Sequence, residues 1–521
     1  MKKGFHCGKI GISLATLLLF SGCAVGPDFK RPPPPASKAY SPEKNLGKVT
    51  ASSPVLDGSV QHFDPKASIP FDWWKLFGSK ALDSLIERAF RANPEIDSAQ
   101  AALRQAQENT VAQEGFFLPT LGISYSPSRN KLAGNMGGNS PGVQGNGSVI
   151  QTYSNPAGPA PYNAPVYYNF HVAQLTVGYV PDVFGLNRRM VESAKAQENL
   201  QKFQLEATYI TLASNVVAAA FAEASLRAQI DATQRMVQIN RELLDLSRKE
   251  MELGEISGVD ISSQESALAS MEQALIPLQN RLEQTRDLVR ALAGNAPDED
   301  VAETFRLEDL HLPESLPISL PSRIVEQRPD VRAAEEALHD ASAQAGVAVA
   351  NTLPQFAVTG AIGGMAATPG WMFKAGGGFF DLTANVAYTI FDGGTLRAKS
   401  RAAKQALLQA GAQYRSTVIA ALQNVADTLH ALQSDAKTLR AAADGERAAG
   451  NAFELVKKQY ETGAVSYMAT LQAEQNLKLA QIALVQAQVG RLGDTAALYQ
   501  ALGGGWWNRE QKNARSGAGQ D

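Results

Sequence analysis

The strongest constraint on the fold of this 521-residue chain is an internal repeat. The segment Asn93–Asp97 (NPEID) recurs as Arg328–Arg332 (RPDVR), and each copy is followed at the same interval by Leu-Pro. Later landmarks around Gly254 and Gly463 also keep equal spacing in the two copies. A repeated supersecondary unit determines the architecture of the whole chain. The sequence therefore predicts one unit built twice, not a string of unrelated domains.

Each copy reads as helix, strand, loop, strand, long helix, turn and return helix. We predict a first repeat at 81–294, a connection at 295–327, a second repeat at 328–504 and a tail at 505–521. The loop of the first copy is longer, and it falls in a tract rich in Gly, Asn, Ser and Pro that is typical of exposed loops. The predicted bounds are strands 120–126 and 172–180, long helix about 189–253 and return helix about 259–293, then strands 355–362 and 381–390, long helix about 399–461 and return helix about 466–502.

The predicted strands alternate apolar and polar side chains with a period of two. In the first strand, Leu121, Ile123 and Tyr125 alternate with Gly122 and Ser124. Such segments suit a membrane β-barrel with a wet interior, although a soluble antiparallel sheet on a core has the same pattern. Four strands cannot close a barrel, and an open edge in lipid leaves backbone groups unpaired. We therefore expect several copies of the chain to share one barrel.

The long helices lack proline and are rich in Ala, Gln, Leu, Glu and Lys. At about 1.5 Å per residue, each would be roughly 95 Å long, which suits a device that crosses a compartment. The return helices carry heptad stripes of apolar residues, and the second one has a further stripe on another face. Two stripes indicate neighbours on both sides, as in a closed wall of helices.

The N-terminus reads as a bacterial secretory signal at 1–22, with basic residues, a short apolar run and a small-residue stretch ending at Cys23. Residues 20–23 (FSGC) resemble a bacterial lipobox, in which the cysteine thiol accepts a diacylglyceryl group, so we predict that Cys23 is lipidated and begins an N-terminal segment at 23–80. The alternative is an ordinary signal peptide with an incidental cysteine. Cleavage would leave Cys23 as the single cysteine, which excludes an intrachain disulfide. After residue 22 there is no run of 18 apolar residues, so no transmembrane helix is predicted.

Charge and motifs exclude several classes of function. The chain has 48 basic and 51 acidic side chains, and this balance argues against a nucleic-acid partner. The six histidines form no metal-binding spacing such as HExxH, and there is no phosphate-binding loop. We therefore predict neither an enzyme nor a metal site.

Three motifs resemble one family. They are CAVGPDF at 23–29, LPISLPS at 316–322 running into RPDVRAAE at 328–335, and ALGGGWW at 501–507. They resemble the TolC-like outer-membrane factors, in particular the OprM-like lipoprotein branch of RND (resistance–nodulation–division) efflux systems. The resemblance implies a mixed α and β membrane protein, with a trimeric 12-stranded β-barrel continued by a periplasmic α-helical barrel. It also implies a homotrimer that contacts outer-membrane lipid, a periplasmic adaptor (membrane fusion protein) and an inner-membrane RND transporter. No cofactor is expected beyond the covalent lipid on Cys23.

In this family, the turns between long and return helices close the periplasmic end. Those turns map to 253–261 and 462–472. Relatives place carboxylates in the second turn, whereas this chain has Ala469 and Gln472 there. We hypothesise a constriction by Tyr467 and Met468, with Asp260 behind it and Gln472 as a further gate candidate. The alternative is that these residues only pack the turn.

The sequence thus favours a passive exit duct for small molecules such as drugs. Within the same fold, the alternatives are the duct of a type I protein-secretion system or of a metal-ion pump. A periplasmic coiled-coil scaffold is a further alternative, but it would not need the alternating strands.

Overall fold

The structure is a computed structural model that describes residues 24–37, 39–40, 50–53, 55, 58–65, 67–132, 142–143, 149–150 and 166–509. The predicted signal peptide at 1–22 and the predicted lipidation residue Cys23 lie outside the described residues. So do most of the long loop of the first repeat and the end of the C-terminal tail.

The chain order shows the repeat directly, because each copy contains two helices, a pair of longer strands, a long helix and a return helix. The described elements are β1 (His62–Asp64), α1 (Lys80–Ala92), α2 (Pro94–Glu114), β2 (Thr120–Leu132), β3 (Gly142–Val143), β4 (Val149–Ile150), β5 (Val166–Tyr179), α3 (Leu186–Glu252), α4 (Gly258–Leu292), β6 (Ser315–Pro317), α5 (Pro321–Gln327), α6 (Pro329–Ala350), β7 (Gln355–Ala366), β8 (Gly378–Ala387), α7 (Thr395–Glu461) and α8 (Tyr467–Ala501).

The long helices α3 and α7 have 67 residues each, and the return helices α4 and α8 have 35 residues each. At about 1.5 Å per residue, each long helix is roughly 100 Å long. Pro277 lies inside α4. One 18-residue window of α3 has a mean hydropathy of 1.3, but 56% of that window is buried inside the protein, as in an ordinary core helix.

The observed strands differ from the predicted strands at their ends. β2 continues to Leu132, where the pattern predicted an end at 126, and β5 begins at Val166, where it predicted 172. The prediction that the fourth strand runs to 390 is wrong, since β8 ends at Ala387. Ala387 pairs with Gln355, the first residue of β7, so the partner strand supplies no backbone for residues 388–390.

The structure divides into two compact units. The strand unit takes the described residues of 1–30, 106–197 and 338–410, and the helix unit takes those of 31–105, 198–337 and 411–521. The strand unit contains an antiparallel sheet in the order β2-β5-β7-β8. Its four strands come in pairs from the two repeats, so the repeats meet at the β5–β7 ladder.

The helix unit has an aromatic core. Trp73 is 1% exposed and stacks on Tyr499 of α8, with ring centroids 5.5 Å apart. Phe77 meets Phe221 of α3 edge to face at 5.1 Å. Large buried rings of this kind contribute strongly to core packing. They fix the end of α8 against the middle of α3, and the parallel pair β1–β6 lies in the same unit.

Candidate channel and closure sites

The sheet of the strand unit has one face of apolar side chains that no core covers. Cross-strand register places Ile123, Leu175, Ile362 and Phe380 in one row across all four strands. Ile123 is 88% exposed and Phe380 is 82% exposed. A contiguous exposed apolar surface of this kind marks contact with a membrane or a partner. We call this surface the apolar face.

The opposite face of the same sheet is small and polar. One of its rows consists of Thr120, Gly178, Thr359 and Thr383, each paired with the next across the sheet. The Thr120 hydroxyl also donates to the Gly178 carbonyl at 3.2 Å. Because the two faces alternate in register across four strands, the strand ends next to the helices present apolar side chains to one side and small or polar groups to the other.

The sheet is open at both edges within one chain. In the described residues, β2 and β8 each have a strand partner along one side only. Unpaired backbone groups along a strand edge favour pairing with another strand. The apolar face and the open edges therefore belong to the same sheet.

The N-terminal segment docks on the strand unit immediately after the predicted lipidation residue. The Val25 N–H donates to the Phe184 carbonyl at 3.1 Å. The Arg189 side chain, 4% exposed, binds Asp28 at 2.6 Å and donates to the Val25 carbonyl at 3.1 Å. A Cβ on Gly185 would lie 2.6 Å from Ala24, so a side chain there would displace the segment.

A second set of contacts holds the same segment further along. Phe29 stacks on His339 with ring centroids 4.2 Å apart, and His339 lies 3.1 Å from Glu192. Glu192 in turn binds Arg189 at 2.7 Å. Ala24 is thus held beside Gly185, at the start of α3 and a few residues after β5 ends.

The two turns that follow the long helices have the same backbone design. Gly254 and Gly463 adopt φ values of 77° and 74°. Each glycine N–H bonds three residues back and the next N–H bonds five residues back, which is the Schellman pattern. A positive φ favours glycine at these positions.

The return helix of the second repeat is tied to the long helix of the first by a charged cluster. Arg235 of α3 binds both carboxylate oxygens of Glu474 of α8, at 2.7 and 2.8 Å, and binds Glu242 at 3.2 Å. The Tyr467 hydroxyl donates to the other oxygen of Glu242 at 3.0 Å. We call these four residues the α3–α8 cluster. Bidentate Arg–carboxylate pairs are among the stronger polar contacts in proteins.

Electrostatics agree with the geometry of the cluster. The hydrogen bonds to Glu474 raise the pKa of Arg235, so its positive charge is stabilised. Partial burial and the hydrogen bond to Glu242 raise the pKa of Tyr467, so its hydroxyl stays protonated and continues to donate. Met468 packs beside the cluster against Ile239, Leu243 and Leu471.

The other two predicted gate residues lie elsewhere in the turns. The Asp260 carboxylate accepts the Ser257 N–H at 2.9 Å and the Ser257 hydroxyl at 2.8 Å, which caps α4. These bonds lower the pKa of Asp260. The exposed Gln472 side chain donates to Gln475 at 3.3 Å on its own helix.

The structure therefore brings Tyr467 and Met468 together at α3, and places Asp260 and Gln472 in separate local contacts. Sequence reasoning missed Arg235 and Glu242, although opposite charges seven residues apart on one helix were a readable signal. Among the described residues, no group of three or more His, Cys, Asp or Glu side chains is placed to hold a metal ion.

The sequence matches the family described as "Outer membrane efflux protein" over residues 85–295 and 320–504. The chain belongs to this family, since the match covers most of its length. It is thus an outer-membrane efflux channel whose helices extend into the periplasm, and the predicted TolC-like resemblance is confirmed.

Individual relatives are distant but cover nearly the whole chain. The toluene efflux pump outer membrane protein TtgC of Pseudomonas putida is 26% identical, with 96% of each chain covered. The pyoverdine export outer membrane protein OpmQ of Pseudomonas aeruginosa is 27% identical, over 85% of this chain and 89% of its own. The crystal structure of the Campylobacter jejuni CmeC outer membrane channel has a TM-score of 0.78 at 22% identity, with 95% of this chain and 98% of that chain covered. This likeness establishes a shared fold.

Proposed function

We propose that three copies of the chain close one 12-stranded barrel in the outer membrane, with β8 of each copy paired to β2 of the next. The apolar face contacts lipid and the threonine row lines an aqueous lumen. The observation that carries this proposal is the apolar face on a sheet whose two edges are open. The copy number of three comes from the family resemblance.

Lipid gives the physical reason for this assembly. Hydrocarbon contains no water to satisfy strand-edge backbone groups, so only closed barrels of strands are stable there. The smallest single-chain barrels have about eight strands. A chain that contributes four strands must therefore join others, and pairing the two open edges satisfies both edges at once.

The transport role follows from this architecture. The duct supplies an aqueous path, and an inner-membrane RND transporter, linked by a periplasmic adaptor, supplies the energy. The exported compounds are small organic molecules. Supporting this, two relatives are named for toluene efflux and for pyoverdine export.

Lipidation of Cys23 would fit the docked N-terminal segment. Ala24 is held beside Gly185 close to the end of β5, so acyl chains on residue 23 would start near the periplasmic ends of the strands. Mass spectrometry of the mature N-terminus tests this. A diacylglyceryl adduct is expected in the wild type and not in Cys23→Ala, and an unmodified Cys23 would rule it out.

For closure of the periplasmic end, the α3–α8 cluster suggests a latch and not a plug. Tyr467 and Met468 hold the start of α8 against α3, and breaking those contacts would let the turn move outward. Tyr467→Phe and Met468→Ala should both raise the open fraction in single-channel recordings. Asp260→Asn, which changes only a helix cap, serves as the control. Unchanged closure in Tyr467→Phe and Met468→Ala would refute the latch.

The barrel is tested by adjacent residues on opposite faces. Ile123→Lys puts a charge on the apolar face, where a lysine costs about 2–4 kcal/mol at the bilayer centre and less towards the boundary. Ser124→Lys puts the same charge on the polar face. We expect Ile123→Lys to reduce heat-modifiable trimer in outer membranes, and Ser124→Lys to assemble normally with altered conductance in planar bilayers. A water-soluble monomer, or equal effects of both changes, would contradict the barrel.

A further inference from the structure

The apolar face changes its chemistry towards the loop end of the β2–β5 pair. From the helix end, β2 presents Leu121 and Ile123, then Tyr125, and finally Arg129 and Lys131 on this side. The paired residues on β5 change in parallel, because Val177 and Leu175 give way to Asn169 and Tyr167. The same side of the sheet is therefore aliphatic first and cationic last.

Aromatic rings lie at this change. The Tyr125 hydroxyl is 2.9 Å from His171 Nδ1, and their rings stack at an interplanar angle of 15°. The Lys131 ammonium lies 5.4 Å from the Tyr167 ring centroid. Tyrosines with one apolar and one wet end are typical of the boundary between membrane and water.

The charge of this surface has one sign. Neither β2 nor β5 contains Asp or Glu. Among the described residues, Arg129 and Lys131 have no carboxylate partner, and both side chains are exposed. Two cations on a lipid-facing side without an internal counter-charge are available to bind an external anion.

The depth of these cations fits the boundary of the bilayer. Eight residues separate Leu121 from Arg129, which is about 27 Å along a strand. With the usual barrel tilt of about 40°, this length along the strand corresponds to a height of about 21 Å, close to the roughly 25 Å height of the apolar band. Since the helices extend into the periplasm, the loop end faces the outer leaflet. A cation there costs little, whereas the same cation at mid-depth would be expensive.

We propose that Arg129 and Lys131 bind the phosphate of an anionic lipid of the outer leaflet. The rings of Tyr125, His171 and Tyr167 then lie between this phosphate and the aliphatic part of the apolar face. The guanidinium supplies paired donors for two phosphate oxygens, and the ammonium adds a second charge. This inference rests on the proposed membrane barrel.

The test measures lipid retained by the purified full-length protein. Protein is exchanged into phosphatidylcholine nanodiscs that contain bis-phosphorylated lipid A, then re-extracted, and the bound lipid A is counted by native mass spectrometry. Wild type should retain lipid A, and Arg129→Gln with Lys131→Gln should retain at least about fivefold less, equivalent to about 1 kcal/mol. Arg129→Lys should fall in between, because it keeps the charge and loses the bidentate contact. Added inorganic phosphate should not compete, since the site takes the phosphate as part of a lipid.

The control double variant, Arg281→Gln with Lys437→Gln, removes two exposed cations from helices of the helix unit. It should retain lipid A like the wild type. Equal retention by the Arg129/Lys131 variant, a changed subunit number in place of lost lipid, or displacement by inorganic phosphate would overturn the proposed site. Recovery of the wild type as a heat-modifiable trimer in outer membranes separates the two proposals. If the trimer is present and the Arg129/Lys131 variant retains as much lipid A as the wild type, only the lipid site fails, whereas a water-soluble wild-type monomer would remove the barrel itself.

Discussion

The return helices of the two repeats have equal lengths and very different surroundings. Both have 35 residues, but α4 has three buried residues, whereas α8 has eleven. The first turn of α4 is held by its own cap, since Asp260 binds Ser257. The first turn of α8 has a cap as well, since Ser466 accepts the Ala469 N–H, but it is also held by a different helix, since Tyr467 binds Glu242 of α3. Duplication thus preserved the backbone, and divergence of side chains gave the two helices different partners.

Residues at matching positions of the two repeats show how this difference arose. Leu471 lies in the apolar cluster with Ile239 and Leu243, whereas the matching residue of the first repeat is the exposed Ser262. Glu474 pairs with Arg235, and its side chain is 16% exposed. The matching Glu265 pairs with Arg248, and both of those side chains are about half exposed. The same backbone position is therefore a packing contact in one repeat and a surface in the other.

The largest difference between the repeats is expected at the first of these pairs. Leu471→Ala should lower the free energy of unfolding by about 2–5 kcal/mol, because it leaves a cavity among Ile239, Leu243 and Met468. Ser262→Ala should change it by less than about 0.5 kcal/mol, as for most exposed positions. Thermal melts followed by circular dichroism in detergent would compare the two variants. Similar losses in both would show that the buried cluster is not what distinguishes the repeats.

The second pair of matching residues, Glu474 and Glu265, tests the same difference with charged side chains. Glu474→Gln should cost about 1–2 kcal/mol, because Arg235 loses a bidentate carboxylate and is only partly exposed to water. Glu265→Gln should cost at most about 1 kcal/mol, as is usual for exposed ion pairs. Denaturant titration measures both, and single-channel recording should show more opening for Glu474→Gln only. More opening in Glu265→Gln alone would place the latch in the first repeat.

The sequence predicted the parts of this comparison that are local. Heptad spacing, the absence of proline and the paired glycines predict the helices and turns, and strict alternation predicts the strands of the apolar face. The capping of α4 was also readable from Ser257 followed by Asp260 three residues later, although we interpreted Asp260 as a gate residue.

The parts that depend on distant packing were not predictable. Arg235 and Glu474 are 239 positions apart, and only the packing of α8 on α3 brings them together. The end of β8 is set by where β7 begins, so its own alternation through residue 390 could not locate it. A pattern within one element predicts that element, whereas contacts between the repeats require their register in three dimensions.

A pH effect is expected from the second repeat alone. Burial and the neighbouring Asp494 of α8 raise the pKa of Asp435 of α7 to about 7, and Arg491 offsets this only in part. The matching residues of the first repeat are Leu226 and Thr285, which do not titrate in this range. The native protein therefore holds a proton that the unfolded chain releases above about pH 4, so native stability falls between about pH 4 and pH 7.

Asp435→Asn removes this loss. The variant should match the wild type near pH 4 and exceed it above pH 7 by on the order of 1 kcal/mol. The shift of about 3 pKa units, at about 1.4 kcal/mol per unit, sets the upper limit, and solvent screening of this partly exposed carboxyl leaves only a fraction of it. Melting curves at a series of pH values measure the difference, and the exposed Asp427→Asn on the same helix controls for the loss of one charge. A constant difference across pH would show that the pKa of Asp435 is not raised in the native protein.

The smallest effect is expected where the repeats are alike. Gly254→Ala and Gly463→Ala each place a Cβ at a φ near 75°, with no atom within 4 Å to clash with it. The left-handed conformation costs alanine about 1–2 kcal/mol, and the lower entropy of the unfolded chain offsets about half of that. Both variants should therefore lose roughly 0.5–1 kcal/mol in denaturant titrations. Gly445→Ala, inside α7 and equally free of clashes, should raise the free energy of unfolding by a similar amount, because alanine favours a helix more than glycine does. Since the turn backbone is the part that duplication preserved, unequal losses at Gly254 and Gly463 would show that the surroundings, and not the shared φ, determine the cost.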